Sequence, residues 1–96
     1  MRTKERKEFK RKIRSGESGS DFNYNAVQRK NFTYVEAWAF LKLPDGSARW
    51  YQAPGFSKRM PKDEYSSERG INIALNRALD EIVDRYEEDV ELCLPF

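Results

Sequence analysis

Apolar residues recur at positions 71, 74, 75, 78, 79, 82, 83, 86 and 90. This i, i+3, i+4, i+7 spacing is that of a helix with one buried face, so it predicts a helix through Ile71–Tyr86. Upstream, Pro61 and Asp63 supply a stop and a turn. Thr33–Leu43 reads differently: it is rich in β-branched and aromatic residues, has no Gly or Pro, and predicts a strand. Pro44-Asp45-Gly46-Ser47 follows as a hairpin turn, and Ser47–Ala53 returns as the next strand. Pro54-Gly55 interrupts it, with Phe56–Met60 continuing after a bulge or bend. Asp21–Lys30 is ambiguous. Its alternation allows a short edge strand, while Asn23 and Asn25 argue against one.

With Asp45-Gly46 as a two-residue loop, the hairpin register sets Lys42 opposite Arg49, Phe40 opposite Tyr51 and Trp38 opposite Ala53. One face then carries Val35, Ala37, Ala39, Leu41, Leu43 and Trp50, small enough for the helix to approach closely. The other carries Tyr34, Glu36, Trp38, Phe40, Lys42, Arg49 and Tyr51. Large aromatics on an exposed sheet face call for a cover. The candidates are stacked bases, a partner's apolar groups, the chain's own N-terminal segment, or a second copy in a homodimer. The predicted class is α+β: a three-stranded antiparallel sheet packed on one long C-terminal helix.

Residues 1–14 contain no helix breaker, but only Phe9 and Ile13 are large and apolar, too thin a stripe to hold an isolated helix. Ser15–Ser20 has linker composition. The expected organisation is a flexible or helical basic arm with linker over residues 1–20 and one small domain over 21–96. A chain of 96 residues supports one modest core.

Charge sharpens this picture. The net charge of +2 hides a gradient. Arg2, Lys4, Arg6, Lys7, Lys10, Arg11, Lys12 and Arg14 crowd the first fourteen residues, whereas Asp80, Glu81, Asp84, Glu87, Glu88, Asp89 and Glu91 dominate the end. Such asymmetry points to a basic arm for nucleic acid, an acidic surface for a partner, or pairing of the two within the molecule. Histidine is absent, no glycine-rich phosphate loop is present, and the single cysteine, Cys93, sits among carboxylates that oppose a thiolate. No enzyme activity, cofactor or metal is expected. No apolar run approaches the roughly 20 residues that span a bilayer. The basic start has no apolar core behind it, so cytoplasmic residence is the default.

The spacing of Pro61, Asp63, Glu68, Gly70, Ala74, Arg77, Ala78 and Leu79 resembles a family of small actinobacterial dormancy-associated proteins, similar in shape to double-stranded-RNA-binding domains and hibernation factors, and small phage proteins with the same closing helix. The resemblance covers Thr33 to Val83. It implies three antiparallel strands under a long helix, association with RNA or a ribosome, and dimers among some members. The matched positions look structural; Arg77 is off the buried stripe and is expected to pair with Asp80, Glu81 or Asp63.

Two functions follow as expectations. One is a non-enzymatic binding protein, of phage or mobile-element origin, that meets RNA or a ribonucleoprotein through the arm, with Lys42, Arg49, Lys58, Arg59 and Lys62 adding phosphate contacts. The alternative is a protein-directed inhibitor of a host complex, such as an anti-CRISPR. It would act through Asp80, Glu81, Asp84, Glu87 and Glu88, with Trp38, Phe40 and Tyr51 as further partner contacts.

Overall fold

The computed structural model describes residues 1–16, 21–58 and 67–93. In chain order, α1 (Thr3–Ser15) precedes β1 (Phe22–Gln28), β2 (Phe32–Lys42), β3 (Ala48–Lys58) and α2 (Ser67–Cys93). The strands form an antiparallel sheet in the order β1-β2-β3. The α+β class is as the periodicity predicts, and the ambiguous first segment is an edge strand.

The long helix lies across one sheet face. Ala74, Leu75, Ala78, Leu79, Ile82 and Val83 are buried against Val35, Ala37, Ala39, Leu41, Tyr51 and Ala53. Each large side chain in this layer contributes about 1.5–3 kcal/mol. Small residues set the distance between the layers. A Cβ on Gly55 would sit 1.9 Å from the Ala74 carbonyl oxygen and 2.8 Å from the Ala78 nitrogen, so the backbones of β3 and α2 pass in direct contact there.

The hairpin departs from the two-residue loop. Its loop is Pro44-Asp45-Gly46: the Leu43 N–H donates to the Ser47 carbonyl at 2.7 Å, and the Gly46 N–H donates to the Leu43 carbonyl at 3.0 Å. Pro44 suits the second position of a type I turn, and Gly46 takes φ 90°, the left-handed step that closes a three-residue loop. A two-residue loop would need positive φ at Asp45 and would put Pro44, which has no N–H, in a pairing position. The Asp45 side chain seals the turn by accepting the Ser47 N–H at 2.9 Å and the Ser47 hydroxyl. Those bonds, the hydroxyl first, hold its carboxyl below the usual range.

This extra loop residue shifts the register by one. Lys42 pairs with Ala48, Phe40 with Trp50, Ala39 with Tyr51 and Ala37 with Ala53. A one-residue slip sends every β3 side chain to the opposite face. Tyr51 and Ala53 therefore face α2, and Trp50 faces away, 57% exposed. β3 also runs through Pro54-Gly55 without a bulge, as Glu36↔Pro54 and Val35↔Gly55 stay in register. An edge strand tolerates the missing N–H of Pro54.

The N-terminal segment does not cover the open sheet face. It forms α1, antiparallel to α2 and packed on that helix. Ile13 is fully buried in the same core, and Phe9 stacks on Tyr86 with ring centroids 5.2 Å apart.

Candidate nucleic-acid interface

α1 divides its cations between two sides, and helical spacing dictates which go where. Positions 6, 9, 10 and 13 share one face. Phe9 and Ile13 bury on α2 and draw Arg6 and Lys10 down beside them. The Arg6 Nη2 donates to the Asp80 carbonyl at 2.7 Å and lies 2.7 Å from an Asp84 carboxylate oxygen; its Nη1 lies 3.7 Å from Glu87. Lys10 Nζ reaches Asp80 Oδ1 at 2.7 Å and Asn76 Oδ1 at 3.0 Å. The Arg6 and Lys10 side chains keep only 21% and 13% of their exposure, so these ions are partly desolvated and tie the two helices together. The basic arm and the acidic helix thus partner one another within the molecule.

Lys4, Lys7, Arg11 and Arg14 follow a separate stripe at i, i+3, i+7 and i+10, on the side of α1 away from the core. Lys7, Lys10, Arg11 and Arg14 line an open groove along α2, with Asn76 in its wall. Arg14 Nη2 donates to Asn72 Oδ1 at 3.2 Å, which fixes the C-terminal end of α1 beside the first turns of α2. Arg11 bonds Glu8 at 2.8 Å and holds that carboxyl below the usual range. Arg2, just before α1, and Lys12, on another side of it, are also exposed.

The same end of the molecule collects cations from the sheet. A Cβ on Gly70 would sit 2.8 Å from Thr33 Oγ1, so the start of β2 lies against the start of α2. The β1–β2 turn, with exposed Arg29 and Lys30, therefore sits at this end, as does Lys58, paired with Phe32 at the end of β3. Arg69 is on the first turn of α2, whose N-terminus also carries the positive end of the helix dipole. Arg29, Lys30 and Arg69 are not among the residues that the sequence pattern singles out. Two adjacent cations in a connection between strands were the available signal.

Other expected residues fall elsewhere. Lys42 and Arg49 belong to the opposite, acidic end: the Tyr86 hydroxyl donates to the Lys42 carbonyl at 2.7 Å, and Arg49 Nη1 lies 3.2 Å from Asp89 Oδ2. The register shift moves Arg49 off the open face onto the helix side. Tyr51 is not a partner contact. It is 5% exposed beneath α2 and donates to Asp89 Oδ2 at 2.6 Å. Burial first, then that carboxylate, pushes its phenol well above the ordinary value. Trp38 and Phe40 do remain on the open face. Arg77 donates to the Phe56 carbonyl at 2.6 Å rather than to Asp80 or Glu81. Arg59, Lys62 and Asp63 lie outside the described residues.

Of the acidic set, Asp80, Asp84 and Glu87 are engaged by α1, Glu81 pairs with Arg85 at 2.6 Å, and Glu88 is exposed. Cys93 is half-buried, and desolvation, followed by the nearby Asp45 carboxylate, raises its thiol above the ordinary value. Among the described residues, no group of three or more His, Cys, Asp or Glu could hold a metal ion, and no helix is long and apolar enough to cross a membrane. No protein-family model matches the chain, and a comparison with curated proteins finds no match.

Proposed function

We propose that this protein is a non-enzymatic binding module for structured RNA, free or within a ribonucleoprotein, and that it grips phosphates with the cationic end built by α1, the β1–β2 turn and the start of α2. One observation carries this reading: Lys7, Arg11 and Arg14 line one groove beside α2, Arg29, Lys30 and Lys58 lie toward the start of that helix, and Asp80 and Asp84 beside the groove are occupied by Arg6 and Lys10. Asp80, Asp84 and Glu87, which would repel a polyanion along the groove, are paired inside the molecule, while Glu68 at the start of α2 stays exposed. The resemblance to double-stranded-RNA-binding domains fits this reading, and so does the placement of both helices together on one side of the sheet.

The inhibitor reading has less support. A surface that mimics nucleic-acid charge must be free, and here Asp80, Asp84 and Glu87 would first have to shed α1.

Phosphate binding makes affinity fall steeply with salt. Binding of the full chain to an RNA hairpin is expected at low ionic strength. The double change Lys7→Glu and Arg14→Glu should weaken it across all sequences, flattening the log–log salt slope by roughly 1 for each phosphate the variant no longer neutralises. The same reversal at Arg49, at the other end, should leave binding unchanged. Absence of RNA binding at low salt, or equally weakened binding from changes at both ends, contradicts the proposal.

A further inference from the structure

The sheet face opposite α2 is aromatic and uncovered by any described element. Trp50 and Phe56 are 57% and 54% exposed. Tyr34 packs beside Phe56 with centroids 4.9 Å apart, and Phe40 beside Trp50 at 5.2 Å. The placement of these two cross-strand pairs is regular. Ala37 pairs with Ala53. From that point, Tyr34–Phe56 stands three residues along the ribbon in one direction and Phe40–Trp50 three residues in the other, each roughly 10 Å away at strand spacing. Reversing the strands about the Ala37–Ala53 pair maps one aromatic pair onto the other.

We propose that this face binds a second copy of the chain, the two sheets stacked face to face with their strands reversed about a two-fold axis through Ala37–Ala53. A two-fold contact needs a surface complementary to its own rotated image, and the equal spacing provides one. Phe40–Trp50 of each copy lies on Tyr34–Phe56 of the other. Lys42 falls over Phe32 of the second copy, where its ammonium can sit on the ring. Glu36 falls opposite Trp38 of the second copy, not opposite Glu36, and it already accepts a hydrogen bond from the Gln52 amide.

Charge favours this occupant over single-stranded nucleic acid. Glu36 stands at the centre of the face, and Lys42 and Lys58 lie only at its two extremes, so a phosphate backbone would cross a carboxylate. The size of the face predicts the strength. Three strands of up to 11 residues present on the order of 500 Å² before side-chain relief, against about 800 Å² per partner in a standard interface. Association is therefore weak and concentration-dependent. It uses a different surface from the cationic end and does not rest on RNA binding.

Sedimentation velocity of the full chain, from low to high micromolar concentration, tests this. The mass should rise from 11.4 kDa toward twice that value. Phe56→Asp and Trp50→Lys each change an exposed side chain. Each variant should keep the wild-type circular dichroism and dissociate at least tenfold more readily. Positions 56 and 50 meet across the axis, so an equimolar mixture of the two variants should associate again. A wild type that stays monomeric throughout overturns the proposal, as does a mixture that stays monomeric. Quenching of Trp50 fluorescence by single-stranded RNA in a monomeric wild type would overturn it in favour of base stacking.

Discussion

The two faces of the sheet are built from opposite materials. The covered face is made mostly of Val35, Ala37, Ala39, Leu41, Ala53 and Gly55, with Tyr51 toward its far end, and α2 answers with Ala74 and Ala78. Around Gly55 its side chains are small because the α2 backbone comes within van der Waals reach there. The open face is made of large rings that touch one another across strands and leave their outer surfaces in water. Size sorting of this kind separates a surface that is already covered from one that stands open, on which the proposed second copy would sit. The cations are sorted in the same way on α1: Arg6 and Lys10 face inward to carboxylates, and Lys7 and Arg14 face outward.

The comparison breaks hardest at Gly55. Gly55→Ala forces β3 away from α2, because the obstruction is backbone on both sides and no side chain can swing aside. A loss of more than about 3 kcal/mol in urea unfolding is expected, enough to unfold much of the protein. A cost under about 1 kcal/mol would show that the layers do not touch there.

Ile13→Ala asks whether α1 belongs to the covered side. Removing a fully buried isoleucine should cost about 2–4 kcal/mol and expose α1 to proteolysis. Stability unchanged within error would make α1 a free arm.

Tyr51→Phe tests the register directly, because only the observed register buries this phenol against Asp89. At neutral pH the cost should be about 1–2 kcal/mol. The folded protein raises the phenol's pKa above its ordinary value of 10.0, so the contribution is fully present below that value and is lost as pH climbs beyond it. The wild-type urea midpoint should therefore fall more steeply above pH 10 than that of Tyr51→Phe. Parallel curves would place Tyr51 in water.

The smallest effect belongs to the open face. Trp50→Thr, measured at low protein concentration, should change stability by less than about 0.5 kcal/mol, since the ring is exposed and packs only beside Phe40 in a tilted pair. A core-sized loss would contradict the two-face description.

Most of the covered face was legible in the sequence, because periodicity of 3.6 and of 2 reports burial directly: Leu75, Leu79, Ile82 and Val83 fall on the predicted helix stripe, and Val35, Ala37, Ala39 and Leu41 on the predicted strand face. The β3 side chains were misread because register depends on whether the turn holds two residues or three, and Pro44 decides that through a missing N–H that hydrophobic patterning does not register. Gly55 reads in sequence as a break, whereas the structure uses it to admit α2. The cationic end was half legible. The run of Lys and Arg in residues 2–14 is plain, but its division into inward and outward sides depends on α1 docking onto α2, and Arg29 and Lys30 join it only through the folding of the β1–β2 turn beside Gly70.

The most direct test of the cationic end is an amide and indole chemical-shift map of the full chain titrated with an RNA hairpin. Shifts are expected to concentrate at Lys7, Arg11, Arg14, Arg29, Lys30 and Lys58, with the Trp38 and Trp50 indoles unmoved. Shifts centred on those two indoles, or no shifts at low salt, would contradict the assignment.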